Sequence, residues 1–307
     1  MKIKFYTLLY IDRSETRRLA GKVYSQDKRI DVFVRNACIL DRTLRLACAA
    51  QGIDGCTILT NDHARIHLSL QRMGYTIGGV KTIPFTMQVP TGISFYSAHF
   101  KIDAIRYFST LSTDEYSVLL DNDVVCLTAL PQAFLDAVAK SRPMNYTLLN
   151  EINNDNRLQI CDICNEVDPR TMMWSGGEII GGVAETYKSL VEKIDTVLPR
   201  YFEMVKKGLF HIGDEMPVSI AWQLLRQEGW QPVDAFDLRL LYRYWGNEET
   251  KSLRSYGTSL IHLPYDKVFL AKIKPDKLHT SDDFVKIYRK QRMRNFIVHK
   301  LKRLIGK

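Results

Sequence analysis

A chain of 307 residues, 46% hydrophobic and 25% charged, has the balance of a globular protein and enough length to bury a substantial core. The N-terminal Met-Lys-Ile-Lys runs into Phe5–Ile11, too short and too polar at its flanks for a signal peptide or a membrane span, so the expected location is the cytoplasm. The net charge of +9 is local: residues 289–307 hold eight Lys or Arg and no acid, which leaves a nearly neutral body and argues against a nucleic-acid partner.

Residues 5–11 predict a buried first strand, and Phe33, Ala37, Leu40, Leu44 and Ala47 fall at helical spacing before a stop at Gly52. Cys56–Thr60 predicts a second strand, followed by a helix from about Ala64 to Arg72 that closes at Gly74. This βαβα order points to a parallel sheet with helices packed on it. Beyond a loop punctuated by Pro84, Pro90 and Gly92, residues 97–108 place Phe100, Ala104 and Phe108 on one helical face. Tyr116–Leu120 then forms a short apolar strand running into Asp121-Asn122-Asp123, and Pro131 opens the next helix. Further expectations are a strand at 146–149, a glycine-rich segment at 174–182, helices near 184–206 and 214–228, and a last strand at 259–262. The six cysteines lie in apolar segments and read as reduced thiols; Cys161 and Cys164 lack the second pair that a structural zinc site needs.

The chemistry centres on the acidic pair. In an extended segment alternate side chains share a face, so Asp121 and Asp123 are expected to point together with Asn122 turned away. Two adjacent carboxylates repel, and a divalent cation relieves the conflict while leaving room for the oxygens of a diphosphate. The place suits a ligand, since open α/β sheets bind at the carboxyl ends of strands. The competing reading is a solvated acidic turn.

Val118-Leu-Leu-Asp-Asn-Asp-Val-Val125 resembles the Asp-x-Asp segment of GT-A fold glycosyltransferases, and the order of later segments resembles family 8-like enzymes of bacterial lipopolysaccharide and capsule assembly. The resemblance implies an α/β, Rossmann-like fold with a mostly parallel central sheet, and hexosyl transfer from a nucleotide-sugar, a UDP-sugar in the first instance, to a glycan or lipid-linked acceptor. It implies Mn2+ or Mg2+ held by Asp121, Asp123 and His262, with Lys101, Arg106, Gly176, Gly177 and Lys267 around the donor. Tyr10 and Asn61, at the ends of the first two strands, correspond to the nucleotide side, and Glu178, Asp214 and Glu215 to the catalytic side, with His211 a secondary candidate.

Each role has a plainer rival. Arg106 can pair with Asp103, His262 can be a hydrogen-bonded core histidine, and Gly176-Gly177 can form a bulge instead of admitting a ligand. Asp214 and Glu215 suit a helix start on dipole grounds alone. The acidic string also matches haloacid-dehalogenase phosphohydrolases, in which the motif ends the first strand, and a degenerate, membrane-anchored binding protein is a further alternative. Residues 1–272 are read as the catalytic domain and 273–307 as a helical tail. Met293, Phe296, Ile297, Leu301, Leu304 and Ile305 fall at helical spacing among its cations, a pattern suited to an anionic membrane at the inner face of the plasma membrane.

Overall fold

The computed structural model describes residues 1–12, 18–19, 22–23, 25–148, 152, 154–246 and 252–304. The chain opens with β1 (Lys2–Leu9), whose start lies before the expected Phe5, and a small hairpin of β2 (Arg18–Leu19) and β3 (Lys22–Val23). Next come α1 (Gln26–Cys48), β4 (Cys56–Thr60) and α2 (His63–Met73). Asp62 caps α2 by accepting a hydrogen bond from Arg65 N, and Gly74 ends it at φ 61°, a left-handed conformation that a β-carbon would penalise. β5 (Gly79–Thr82) carries one sizeable apolar residue, Val80, and was not legible as a strand; it is held at the sheet edge by pairing with β4.

The helix read over 97–108 is α3 (Lys101–Phe108) entered by a 3-10 turn. β6 (Glu115–Leu120) and β7 (Val124–Cys126) flank the acidic motif, and α4 (Gln132–Ala139) follows. The short strands β8 (Met144–Asn145) and β9 (Thr147–Leu148) stand where one strand was expected; Leu149 lies outside the described residues. After α5 (Asn154–Ile163), the glycine-rich segment resolves into β10 (Trp174–Ser175) and β11 (Ile179–Gly182). Then come α6 (Ala184–Lys206), α7 (Glu215–Gln227), β12 (Val233–Asp234), β13 (Leu241–Arg243), β14 (Leu260–His262), α8 (Lys267–Leu270) and α9 (Ser281–Leu304).

The central sheet runs β12-β8-β11-β6-β1-β4-β5. β5, β4, β1 and β6 are mutually parallel, and β11 runs against both β6 and β8. Successive residues of β6 serve opposite faces: Val118 and Leu120 join a cluster with Val34, Ala37 and Leu40 of α1, while Leu119 joins one with Ile105 of α3, Leu190 of α6 and Trp222 of α7. The expected α/β architecture, a mostly parallel central sheet flanked by helices, is therefore present.

A second sheet, ordered β13-β14-β7, sits beyond the end of β6. Its outer face meets Ile273, Leu278, Phe284 and Tyr288, which share an apolar cluster with Ile39, Val125 and Ile261. Arg42 also donates to the Leu278 carbonyl at 2.6 and 2.9 Å. Packing thus continues past the boundary expected at residue 272, and the first half of α9 belongs to the body. No helix among the described residues is long and apolar enough to cross a membrane.

Candidate active site

The acidic motif is a turn between β6 and β7, not the extended segment expected, because Val124 N donates to the Asp121 carbonyl at 3.3 Å. What brings its carboxylates together is the second sheet. β14 runs antiparallel to β7 with His262 opposite Val124, and Leu263 N donates to the Asp123 carbonyl at 3.0 Å. His262 Nε2 consequently lies 3.4 Å from Asp123 Oδ1 and 3.7 Å from Asp121 Oδ2. Ligand atoms of the three residues all lie within 4.8 Å of one another, and they are the group able to hold a metal ion among the described residues.

Asp123 Oδ1 and both ring nitrogens of His262 are buried without a hydrogen-bond partner. Asp123 Oδ1 and His262 Nε2 converge with Asp121, while Nδ1 faces Glu178 Oε1 at 3.9 Å. Each buried atom left unfilled costs about 1–3 kcal/mol, so the converging pair suits a site shaped for a shared cation. Two carboxylates and an imidazole suit a divalent cation that prefers oxygen and tolerates nitrogen. Burial pushes the Asp123 carboxyl up, but Lys267, which bonds its Oδ2, and His262 outweigh that and hold it well below the usual carboxylate range.

On the other side of Asp121 stands Lys101, from the first turn of α3. Its Nζ lies 2.8 Å from Asp121 Oδ1, 2.7 Å from the Gly177 carbonyl and 3.4 Å from Asp214 Oδ2. Burial works against this ammonium, and the surrounding acids more than restore its charge. Gly177 is tied into the same knot, its N–H donating to Glu215 Oε1 at 3.1 Å. A β-carbon there would sit 2.8 Å from Asp214 Oδ2 and 2.9 Å from Lys101 Nζ; one on Gly176 would meet Glu178 Oε2 at 2.2 Å. The two glycines thus make room for the centre's own charged side chains, whereas the sequence suggested room for a ligand.

Asp214 and Glu215, at the start of α7, are adjacent in sequence and opposite in behaviour. Burial lifts the Asp214 carboxyl to about 6, with Glu215 and Asp121 adding to the rise and Lys101 opposing it. Glu215 is half-buried, but His211, Arg243 and Trp174 overcome the desolvation and hold it well below the ordinary range. Its oxygens face Trp174 Nε1 at 3.0 Å, Arg243 Nη2 at 3.2 Å and His211 Nε2 at 3.3 Å.

Glu178, which the resemblance put on the catalytic side, is engaged within the protein instead. It is fully buried and both oxygens are held by the guanidinium of Arg243, with Nε at 2.6 Å from Oε1. Arg106 likewise stays out of the centre: it bonds Asp103 at 3.0 Å and Asp195 at 2.6 Å, the plainer of its two readings. Asn61 accepts from Ile11 N at 2.8 Å and donates to the Ile11 carbonyl at 2.9 Å, so its amide ties together the chain beyond β1 and β4. Tyr10 stacks on Phe100 with centroids 3.7 Å apart, within an aromatic group that includes Phe85 and Tyr96. Sequence reasoning missed Arg243 altogether; the one available signal was Glu178, an acid in a glycine- and isoleucine-rich strand that needs a buried counter-charge.

No protein-family model matches the sequence, nor does any curated protein sequence. Among solved structures, an active-site mutant of LgtC superposes with a TM-score of 0.51 at 11% identity, over 84% of this chain and 86% of that one. Mouse xyloside xylosyltransferase 1 in its apo form gives 0.49 at 9% identity, over 86% and 98%. At such identity the likeness to LgtC establishes the fold, and it is the GT-A architecture of glycosyltransferases. Within it the acidic motif follows β6 and not β1, unlike the arrangement a haloacid-dehalogenase phosphohydrolase requires.

Proposed function

We propose that the chain is a glycosyltransferase that takes a sugar from a nucleotide-sugar donor, a UDP-sugar in the first instance, with Mn2+ or Mg2+ held by Asp121, Asp123 and His262. The observation that carries this reading is the convergence of Asp121, Asp123 and His262, whose ligand atoms lie within 4.8 Å of one another in a GT-A fold. When bound, the cation would supply positive charge against the departing nucleoside diphosphate.

The chain's own residues divide the remaining work. Lys267, 29% exposed at its side chain, is the ammonium at the rim able to leave Asp123 and meet a phosphate oxygen. Lys101, deeper, holds Asp121 in place and links it through Gly177 to the acids of α7. Glu215 stays ionised and stabilises positive charge developing at the anomeric carbon. Asp214, with a carboxyl near 6, is the group suited to take the proton of the attacking hydroxyl at neutral pH.

The acceptor is proposed to be a glycan or lipid-linked glycan of bacterial surface polysaccharide, lipopolysaccharide or capsule, met at the inner face of the plasma membrane. Exposed Met293 and Ile297 on the outer half of α9, with Arg294 beside them and Arg289 and Lys290 one turn earlier, support docking to anionic lipid. A screen of nucleotide sugars for cation-dependent hydrolysis, with Mn2+ binding followed by electron paramagnetic resonance, tests the centre. Wild type is expected to bind Mn2+ and hydrolyse at least one donor, and Asp123→Asn to lose Mn2+ affinity by on the order of 100-fold. Equal Mn2+ affinity in the variant, or no donor turned over with either cation, would remove the basis for the reading.

A further inference from the structure

Two large aromatic side chains stand out of the surface beside the acidic centre, Trp245 at 42% exposure and Tyr265 at 69%. Their centroids are 5.6 Å apart with planes at 52°, so the rings form an open angle and do not bury one another. On loose chain such rings would fold back onto apolar surface; here the backbone prevents it. Tyr244 N donates to the His262 carbonyl at 2.9 Å, and the Gly246 carbonyl accepts from Arg292, which fixes Trp245 on both sides. Tyr265 lies in a turn closed by Asp266 N donating to the Leu263 carbonyl at 3.0 Å, and the Asp266 carboxylate accepts from Tyr288 at 2.7 Å.

The segments that present these rings also carry the centre. Arg243 places its guanidinium 5.2 Å from the Trp245 ring centroid while binding Glu178 and Glu215. Tyr265 lies between His262 and Lys267 in the chain. One arginine side chain therefore separates Trp245 from Glu178 and Glu215.

We infer that Trp245 and Tyr265 form a stacking subsite for a pyranose ring of the acceptor glycan, a role that rests on the glycosyltransferase reading above. A pyranose offers a face of C–H groups bordered by hydroxyls. The rings match the face, and the Tyr265 hydroxyl and the nearby charged groups match the border. A nucleobase is the rival ring, but open α/β sheets take ligands at the carboxyl ends of their parallel strands, here β1, β4 and β6. The aromatic pair follows β13 and β14 of the second sheet, with Arg243 between Trp245 and Glu215.

Saturation-transfer NMR on the full chain tests the subsite with methyl glycosides of glucose, galactose and N-acetylglucosamine, and with lactose and maltose. Saturation is expected on the C–H protons of one sugar face. Trp245→Ala and Tyr265→Ala should each weaken that binding by about fivefold or more, with Trp245→Phe restoring most of it. Unchanged melting temperatures would show that the variants are folded. The inference is overturned if none of these sugars receives saturation from wild type, if the alanine variants bind as well as wild type, or if UDP displaces the sugars. Sugar binding does not depend on turnover: a protein that binds the glycosides and hydrolyses no sugar nucleotide loses the transferase reading and keeps a carbohydrate subsite.

Discussion

At residue scale the informative contrast is between Asp214 and Glu215. Neither position nor residue type separates them, since both are acids at the start of α7; the donors around them do. Glu215 is surrounded by Trp174, Arg243, His211 and the Gly177 N–H, whereas Asp214 has Lys101, which it shares with Asp121. Asp214 binds its proton more tightly in the folded chain, at about 6, than at its ordinary 3.8. The folded state therefore holds more protons than the unfolded state between those values, and the Asp214 contribution to stability is full below the lower value and lost as pH rises through the upper one. A shift of this size corresponds to about 3 kcal/mol. Asp214→Asn, which mimics the protonated acid at every pH, should melt with wild type near pH 4 and above it at pH 7, both measured with chelator present. Parallel melting curves across that range would mean that Asp214 is not a strained acid. Asp121, Asp123 and His262 were legible in the sequence because each sits where an apolar run stops, and Lys101 and Lys267 through the resemblance in the order of segments. Which acid of α7 titrates was not, because that depends on donors brought from β10, β13 and the turn before α7.

The element that the sequence conveyed least is the small second sheet. Its strands span three residues each, too short for periodicity to register, and β13 pairs in parallel with β14 across a long intervening stretch. Its register nevertheless sets the site: β14 puts His262 opposite Val124, one residue past Asp123, and β13 puts Arg243 opposite His262. Arg243 then reaches Glu178, which precedes β11, and joins the two sheets by a buried ion pair. Arg243→Met should leave the Glu178 charge buried without a partner and cost about 3–5 kcal/mol in denaturant unfolding. The double variant with Glu178→Met should recover most of that loss, because two packed apolar side chains remove the desolvation problem altogether. A single variant as stable as wild type would show that the pair does not join the sheets. By contrast, β4, α2 and β6 were read to within a residue or so, since each has apolar periodicity of its own and α2 ends at a glycine.

For the whole molecule, charge distribution sets which surface the body can present to a membrane. The first half of α9 is packed, with Phe284 and Tyr288 buried and Arg292 both bonded to the Gly246 carbonyl and set 5.8 Å from the Tyr244 ring centroid. Beyond Arg292, Met293 and Ile297 are more than half exposed. The side chains of Phe296, Leu301, Leu304 and Ile305, which complete the expected apolar stripe, lie outside the described residues. A deletion testing membrane docking should therefore begin at Met293 and not at Arg289, because removing residues 289–292 would also take Arg292 from the wall that holds Trp245. Five of the eight tail cations, Arg294, Lys300, Lys302, Arg303 and Lys307, go with the deletion. At about 1 kcal/mol per cation near an anionic surface, their loss should lower vesicle affinity by several orders of magnitude. Co-sedimentation with vesicles rich in phosphatidylglycerol should show wild type bound at low salt, largely released at about 0.5 M salt, and the 293–307 deletion unbound throughout. Donor hydrolysis in solution, which needs no membrane, should continue in the deleted protein. Vesicle binding that survives the deletion would place the docking surface elsewhere on the body, while loss of hydrolysis would make the outer half of α9 part of the catalytic fold.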